Sequence, residues 1–203
     1  MPRPRAVADK ELLDAAMFAF WAKGYGGVST RELESATGLP ASSLYHRHGS
    51  KEGLFTAALA HYIDRVVARR IDRYLGEPDA RAGLRAFLTS VYRDGARHGY
   101  HACLLANTAG DPSCATRAVR AELARGNALL RDAFAANVRR GQAAGQFDAA
   151  LDAGAAARYL LLVLQGLLLT ARGERDAARL DALVDIALAG LRTAATSDEG
   201  IAS

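Results

Sequence analysis

Apolar residues recur along this chain at helical spacing, and no stretch alternates like a half-buried strand. A first helix is predicted from about Asp9 to Lys23, with Leu13, Ala16, Met17, Phe20 and Trp21 on one stripe and Gly24-Tyr25-Gly26-Gly27 ending it. A long helix follows later, from about Lys51 to Leu75, capped by Ser50 and stopped at Gly76-Glu77-Pro78. Another runs from about Asp79 to His98, its buried stripe marked by Leu84, Phe87, Leu88, Val91 and Tyr92. Residues 99–112 read as irregular around a short apolar piece, Ala102 to Ala106. Ser113 to about Ala144 reads as one helix whose course Gly126 and Gly141 weaken. Two helices close the pattern, roughly Asp152–Arg172 and Asp176–Ala194, with a disordered tail expected from Thr196 to Ser203. The fold class is therefore all-α.

Residues 29–52 break this rhythm with a denser signal. Ser29 and Glu32 form an S-x-x-E capping box, and Val28 and Leu33 occupy hydrophobic-staple positions around it. Gly38 can take the left-handed conformation that stops a helix sharply. Pro40 pre-sets the backbone for a second short helix carrying Ala41, Ser42, Ser43, Leu44, Tyr45 and His46. Two short helices across a Gly-containing turn describe a helix-turn-helix, whose second helix enters DNA. Ala41, Ser42 and Ser43 are small enough for close approach to base edges, and Tyr45, His46, Arg47, His48 and Lys51 follow with no acid between them. Such a helix is roughly 10 Å long and fits a major groove about 12 Å wide. The plainer alternative is a solvated basic turn, but cap, turn glycine and small-residue face agree on DNA.

Composition adds bounds. The chain has 203 residues, half of them hydrophobic, with few aromatics and five prolines, which suits a helical protein with an ample core. A net charge of only +4 does not argue for nucleic acid, so that argument stays local. It rests on Lys51 and its neighbours and on the Pro2-Arg3-Pro4-Arg5 arm, which either reaches a minor groove or is simply a solvated terminus. No apolar run follows the N-terminal arginines, so no signal peptide is expected. The longest apolar stretch, Tyr159 to Leu164 and Leu167 to Ala171, is interrupted by Gln165 and Gly166 and reads as too short for a membrane span. Two cysteines without an export signal suit a reducing compartment, and a cytoplasmic location is expected.

At the helix-turn-helix the chain resembles the tetracycline-repressor (TetR) family of bacterial regulators. The resemblance lies in Thr30 opening the second helix, in the turn residues Leu33, Ala36, Gly38 and Leu39, and in SLYHRHGSKEGLF at 43–55. Pro40 departs from it, standing where the family often has a serine cap, and so does His48, where it usually has phenylalanine. The resemblance implies a helix-turn-helix domain over 1–50, a helical ligand-binding and dimerisation domain over 51–195, and a tail at 196–203. It also implies a repressor that binds a palindromic operator in double-stranded DNA, is released by a small-molecule effector, and pairs as a homodimer through its last two helices. No cofactor and no membrane partner are implied. The helix at 152–172 is apolar almost all round over Tyr159–Leu169 and is expected to be buried on most sides; beside one carrying Leu180, Leu183, Val184, Ala187, Leu188 and Leu191, it suits half of an intersubunit four-helix bundle.

The DNA-binding candidates are Thr30, Ser42, Ser43, Tyr45, His46 and Lys51. Serine hydroxyls touch base edges without reading them strictly. Tyr45 and His46 match positions that face phosphate in the family. Lys51 opens a helix N-terminus, a natural anion site. Without Arg, Asn or Gln at 41–44, specificity is expected to rest on two half-sites and DNA shape. The family's ligand sits among the middle helices, where Tyr62, Phe87, Tyr92, Phe134 and Tyr159 either line a pocket or simply form core. Gln165 reads as a helix-contact hydrogen bonder.

His98-x-x-His101-x-Cys103, with Cys114 beyond, holds metal-ligand types without a finger spacing, so no metal is assigned. Histidines beside Cys103 would raise its thiolate fraction. Cys-Leu-Leu-Ala-Asn at 103–107 also resembles a segment of a TetR subgroup that includes electrophile sensors. A sensing Cys103 thus stands beside a small buried one. Two other function classes compete: a thiol enzyme using Cys103 and His101, which lacks an orienting third residue, and a dimeric binding protein that has lost DNA binding, hinted at only by His48. A regulator, not an enzyme, is expected.

Overall fold

A computed structural model describes residues 9–98, 103–174 and 176–191, with the backbone alone at 94–98. The Pro2–Arg5 arm, the side chain of His98, His101 and the 196–203 tail lie outside the described residues. Every element among the described residues is helical: α1 (Asp9–Gly27), α2 (Thr30–Thr37), α3 (Ala41–His48), α4 (Lys51–Tyr62), a π turn (Ile63–Val67), α5 (Ala68–Leu75), α6 (Ala80–His98), α7 (Leu104–Ala109), a 3-10 turn (Pro112–Cys114), α8 (Arg117–Ala143), α9 (Ala153–Thr170) and α10 (Ala177–Ala189).

Side-chain caps explain many of these starts. Ser29, Ser50, Thr116, Asp152 and Asp176 each accept from a backbone N–H in the first turn of the helix they precede. The predicted helix from Ser113 is corrected: a 3-10 turn occupies 112–114, and Thr116 caps a helix that begins at Arg117. The predicted irregular stretch is corrected too, since Leu104–Ala109 is a helix burying Leu104, Leu105 and Thr108. In α1 the buried residues are Leu12, Ala16, Met17 and Phe20, whereas Leu13 and Trp21 are only half-buried. Its course breaks at Gly24 (φ 73°, ψ 171°), as the glycine run predicted.

One continuous core joins Leu12 and Phe20 of α1 to Leu160 and Leu188 of the last two helices. α1 packs on α4 and α2, α8 packs on α9, and α6 packs on α5 and α10. Gly126 does not interrupt α8. It is there because a Cβ would sit 2.8 Å from Leu105 Cδ1 and 3.1 Å from Ile63 Cδ1, where α8, α7 and the π turn close on one another. The stripe predicted for 79–98 is buried throughout, and Phe87 meets Phe134 of α8 edge-on at 5.3 Å.

The run from Lys51 to Leu75 is helical throughout but carries a π turn at 63–67, a feature with no helical-spacing signature. Around it, Asp14 of α1 holds both His61 (2.8 Å) and Arg65. The helix that begins beside α3 is thereby tied to α1 at the point where it enters the larger half of the molecule.

Candidate nucleic-acid interface

The capping box forms as read: Ser29 Oγ accepts from Glu32 N, and Glu32 Oε2 accepts from Ser29 N at 2.8 Å. Hydrogen bonds from the Lys23 ammonium and from Ser29 hold the Glu32 carboxyl down to about 2. Gly38 ends α2 at φ 69°, ψ 13°, the left-handed conformation a side chain would resist. Pro40 then starts α3 in extended geometry without a side-chain cap. Ala41 N donates instead to Glu34 Oε1 of α2, at 2.6 Å.

Only Leu44 of α3 is buried; Ser42 and His46 are exposed, and Ala41, Ser43, Tyr45 and His48 are half-buried. Thr30, exposed at the start of α2, lies 3.1 Å through its Oγ1 from the Tyr45 hydroxyl. Two of the six DNA candidates thus bind one another and tie α2 to α3. Lys51, first residue of α4, holds its ammonium 4.8 Å from the Tyr25 ring centroid, a cation–π contact that fixes the charge beside the end of α3. Arg47, exposed on α3, pairs with Asp9 of α1 at 2.7 Å, which offsets its charge on the basic face. Burial pushes the His48 imidazole below its ordinary value, as suits a ring filling an aromatic's place.

Two residues escaped the sequence reading. Arg31 is exposed beside Thr30 and adds a cation to this face; its charge followed by one residue the threonine that carried the family pattern. Glu34 was missed because no local motif pairs residues seven apart across a turn.

Of the effector candidates, Tyr62, Phe87, Tyr92 and Phe134 are buried in the core and Cys103 packs against it. Tyr62 is fully buried, donates to Cys103 Sγ at 3.2 Å and meets Trp21 of α1 edge-on at 4.9 Å. Burial, then the neighbouring Cys103, pushes its phenol well up. Phe87 and Phe134 pair in the core. Tyr92 donates to Asp181 of α10, itself paired with Arg93, and burial and that bond raise its phenol. Tyr159 stands apart on α9, 41% exposed, donating to Ala187 O at 3.4 Å. Cys114 is buried with its thiol on Asp111 O. No group of three or more metal-ligating side chains occurs among the described residues.

α9 also departs from expectation. With its N-terminal alanines it reaches 18 residues at mean hydropathy 1.5, long and apolar enough to meet the minimum for a membrane span, because the apolar stretch begins earlier than Tyr159. Its buried side, Ala156, Ala157, Leu160, Leu164, Leu167 and Leu168, faces the protein core, while Leu162 (67%) and Leu169 (68%) are exposed. Within one protomer the helix is thus buried on one side only.

A short small-faced helix, held on a partner helix by a left-handed turn and rimmed by cations, defines a helix-turn-helix DNA-binding protein. Residues 12–58 match the bacterial regulatory proteins of the tetR family, and residues 80–187 match the tetracyclin repressor-like C-terminal domain. The chain belongs to the tetR family and is a transcriptional regulator, which overturns the thiol-enzyme alternative. It is 29% identical over 192 residues to the HTH-type transcriptional repressor ComR of Escherichia coli (strain K12), covering 94% of this chain and 90% of ComR. Among solved structures, it is similar to a cysteine mutant of the TetR family transcriptional regulator CifR complexed with 26-base-pair operator DNA (35% identity, TM-score 0.78, 92% of this chain and 98% of that one). It shares the fold of reduced E. coli NemR at 21% identity and TM-score 0.75, over 91% and 95% of the two chains.

Proposed function

We propose that this protein is a cytoplasmic, homodimeric repressor that holds a palindromic operator through α3 and releases it when a small molecule binds among the middle helices. The observation that carries the reading is the face of α2–α3: Thr30, Ser42, Ser43, Tyr45 and His46, with Lys51 at the rim. Residues 1–50 form the DNA-binding unit, 51–195 the effector and dimerisation unit, and 196–203 a tail. One short helix reads few bases, so a dimer on two half-sites is needed. The similarity to an operator-bound CifR supports the DNA reading.

For the dimer, the support is the apolar surface left open on the last two helices: Tyr159, Leu162 and Leu169 on α9, Leu183 and Ile186 on α10. These are five of the six large hydrophobics that stay exposed among the described residues, and a second copy covers them as a four-helix bundle. Gel shifts with palindromes enriched from a random duplex pool, run beside light scattering, test both halves. A protein that enriches no palindrome is not an operator-binding repressor.

A second reading makes Cys103 the sensor. The contact favouring it is Tyr62, which joins the sulfur to the end of α4, eleven residues of helix beyond the DNA-facing Lys51. Peroxide converts the thiol to a sulfenic acid with loss of water, which puts an added polar oxygen on the sulfur that Tyr62 donates to and forces that contact to rearrange. A differential affinity of about 1–3 kcal/mol between the two conformations gives a 5- to 150-fold release. Mild peroxide or a quinone then releases DNA from wild type and not from Cys103→Ser; equal release from both leaves Cys103 structural and the inducer a reversible ligand.

A further inference from the structure

We infer that Glu34 is a positioning residue for operator recognition, capping from α2 the N-terminus of α3 that Pro40 leaves uncapped. Its neighbours α2 and α4 are capped by their own serines, Ser29 and Ser50. Pro40 has no side-chain acceptor and sits at φ −66°, ψ 151°. Its carbonyl takes Ser43 N and Leu44 N at 2.9 and 3.1 Å, which closes the first turn from inside the helix. The N–H of Ala41 is served from outside, by Glu34 Oε1 at 2.6 Å.

That bond does more than satisfy a donor. It fixes the end of α3 that carries Ala41, Ser42 and Ser43, while Thr30 and Tyr45 fix the helix one turn further on at 3.1 Å. Two ties from α2 set both the axial position and the roll of α3, and so the aim of the two serines. A carboxylate at the positive end of α3 is favourable in the free protein, yet it lies on a unit that approaches phosphates. A negative group kept there is explained by the cap. The inference rests on α3 being the helix that reads DNA, as proposed above.

The test measures binding to the palindrome enriched by wild type and to a scrambled duplex of the same length. A lost cap weakens placement about 5-fold per protomer, hence about 25-fold for a dimer on two half-sites. Glu34→Ala is expected to lose that much on the palindrome with no loss on the scrambled duplex. Glu34→Gln keeps an acceptor and keeps the wild-type preference. Glu34→Ala combined with Pro40→Ser supplies an ordinary cap and regains most of the loss. Full preference in Glu34→Ala, an equal loss in Glu34→Gln, or no recovery in the double variant each overturns the inference. If the single variant unfolds by circular dichroism, a folded and discriminating double variant supports it and an unfolded one overturns it. A wild type that enriches no palindrome defeats the operator reading and the inference together; enrichment by wild type with an indifferent Glu34→Ala defeats the inference alone.

Discussion

The pairs α2–α3 and α9–α10 are both two-helix units at an edge of the same core, and they leave opposite surfaces uncovered. The first buries Leu33, Thr37 and Leu44 and exposes hydroxyls, a ring nitrogen and cations, and its two helices are tied by the Thr30–Tyr45 and Ala41–Glu34 hydrogen bonds. The second buries Leu160, Leu164, Val184 and Leu188 and leaves Leu162, Leu169 and Ile186 two-thirds exposed. A pre-positioned polar face suits a hydrated polyanion, whose affinity comes largely from counterion release. A bare apolar face gains only by being removed from water. The contrast supports the partner proposed for each unit.

The largest effect breaks the second unit. Leu188 is fully buried and Ile186 is 70% exposed, although they lie two residues apart on α10. Leu188→Glu places an unpaired charge in the core and is expected to cost roughly 4 kcal/mol or more, enough to unfold the chain. Ile186→Glu or Leu183→Glu leaves the protomer's helix content intact and splits the dimer. Circular dichroism with light scattering separates the two outcomes. A dimer that survives both exposed substitutions removes α9–α10 as the pairing face.

The first unit breaks through salt. Lys51, His46 when charged, and the arginines at 3 and 5 offer roughly two to four cationic contacts per protomer, so log affinity should fall with log salt at a slope of about −4 to −7. Salt-independent binding contradicts the assignment. Within that unit, Lys51→Ala should weaken all sequences alike and Ser43→Ala should alter the ranking of operator variants, each by about 1–2 kcal/mol. If Ser43→Ala lowers affinity uniformly, α3 positions without reading.

Most of this architecture was legible because it rests on local rules. Caps at Ser29 and Ser50, the stop at Gly38, and the stripe from Leu84 to Tyr92 all follow from spacing within one or two turns. What stayed hidden depends on elements brought together later. Gly126 reads as a helix breaker until Leu105 and Ile63 are placed against it. α7 hides in a segment whose apolar residues are too few to show a period. Glu34 looks like any solvated acid on α2 until the turn carries Ala41 N onto it. At the DNA face the residue types were readable and their mutual bonds were not, so Arg47 counted as a free cation until Asp9 was found beside it.

The smallest predicted effect sharpens the contrast through pH. His48 at the end of α3 is half-buried, and burial lowers its folded-state pKa below the unfolded value of about 6.5. Its neutral form is therefore the one that folding favours. The stabilisation is present above the unfolded value and is lost as pH falls below it, complete once the folded-state imidazole is also protonated. Acidification from pH 7 to 5 should lower the melting temperature of wild type by more than that of His48→Phe, which puts an aromatic ring in the same place with no proton to gain. Residue 48 belongs to the α2–α3 unit, so the same series run on Ile186→Glu, which alters only the apolar face, should keep the wild-type slope. Equal slopes for wild type and His48→Phe would place the acid sensitivity elsewhere and leave His48 as an indifferent filler beneath the reading helix.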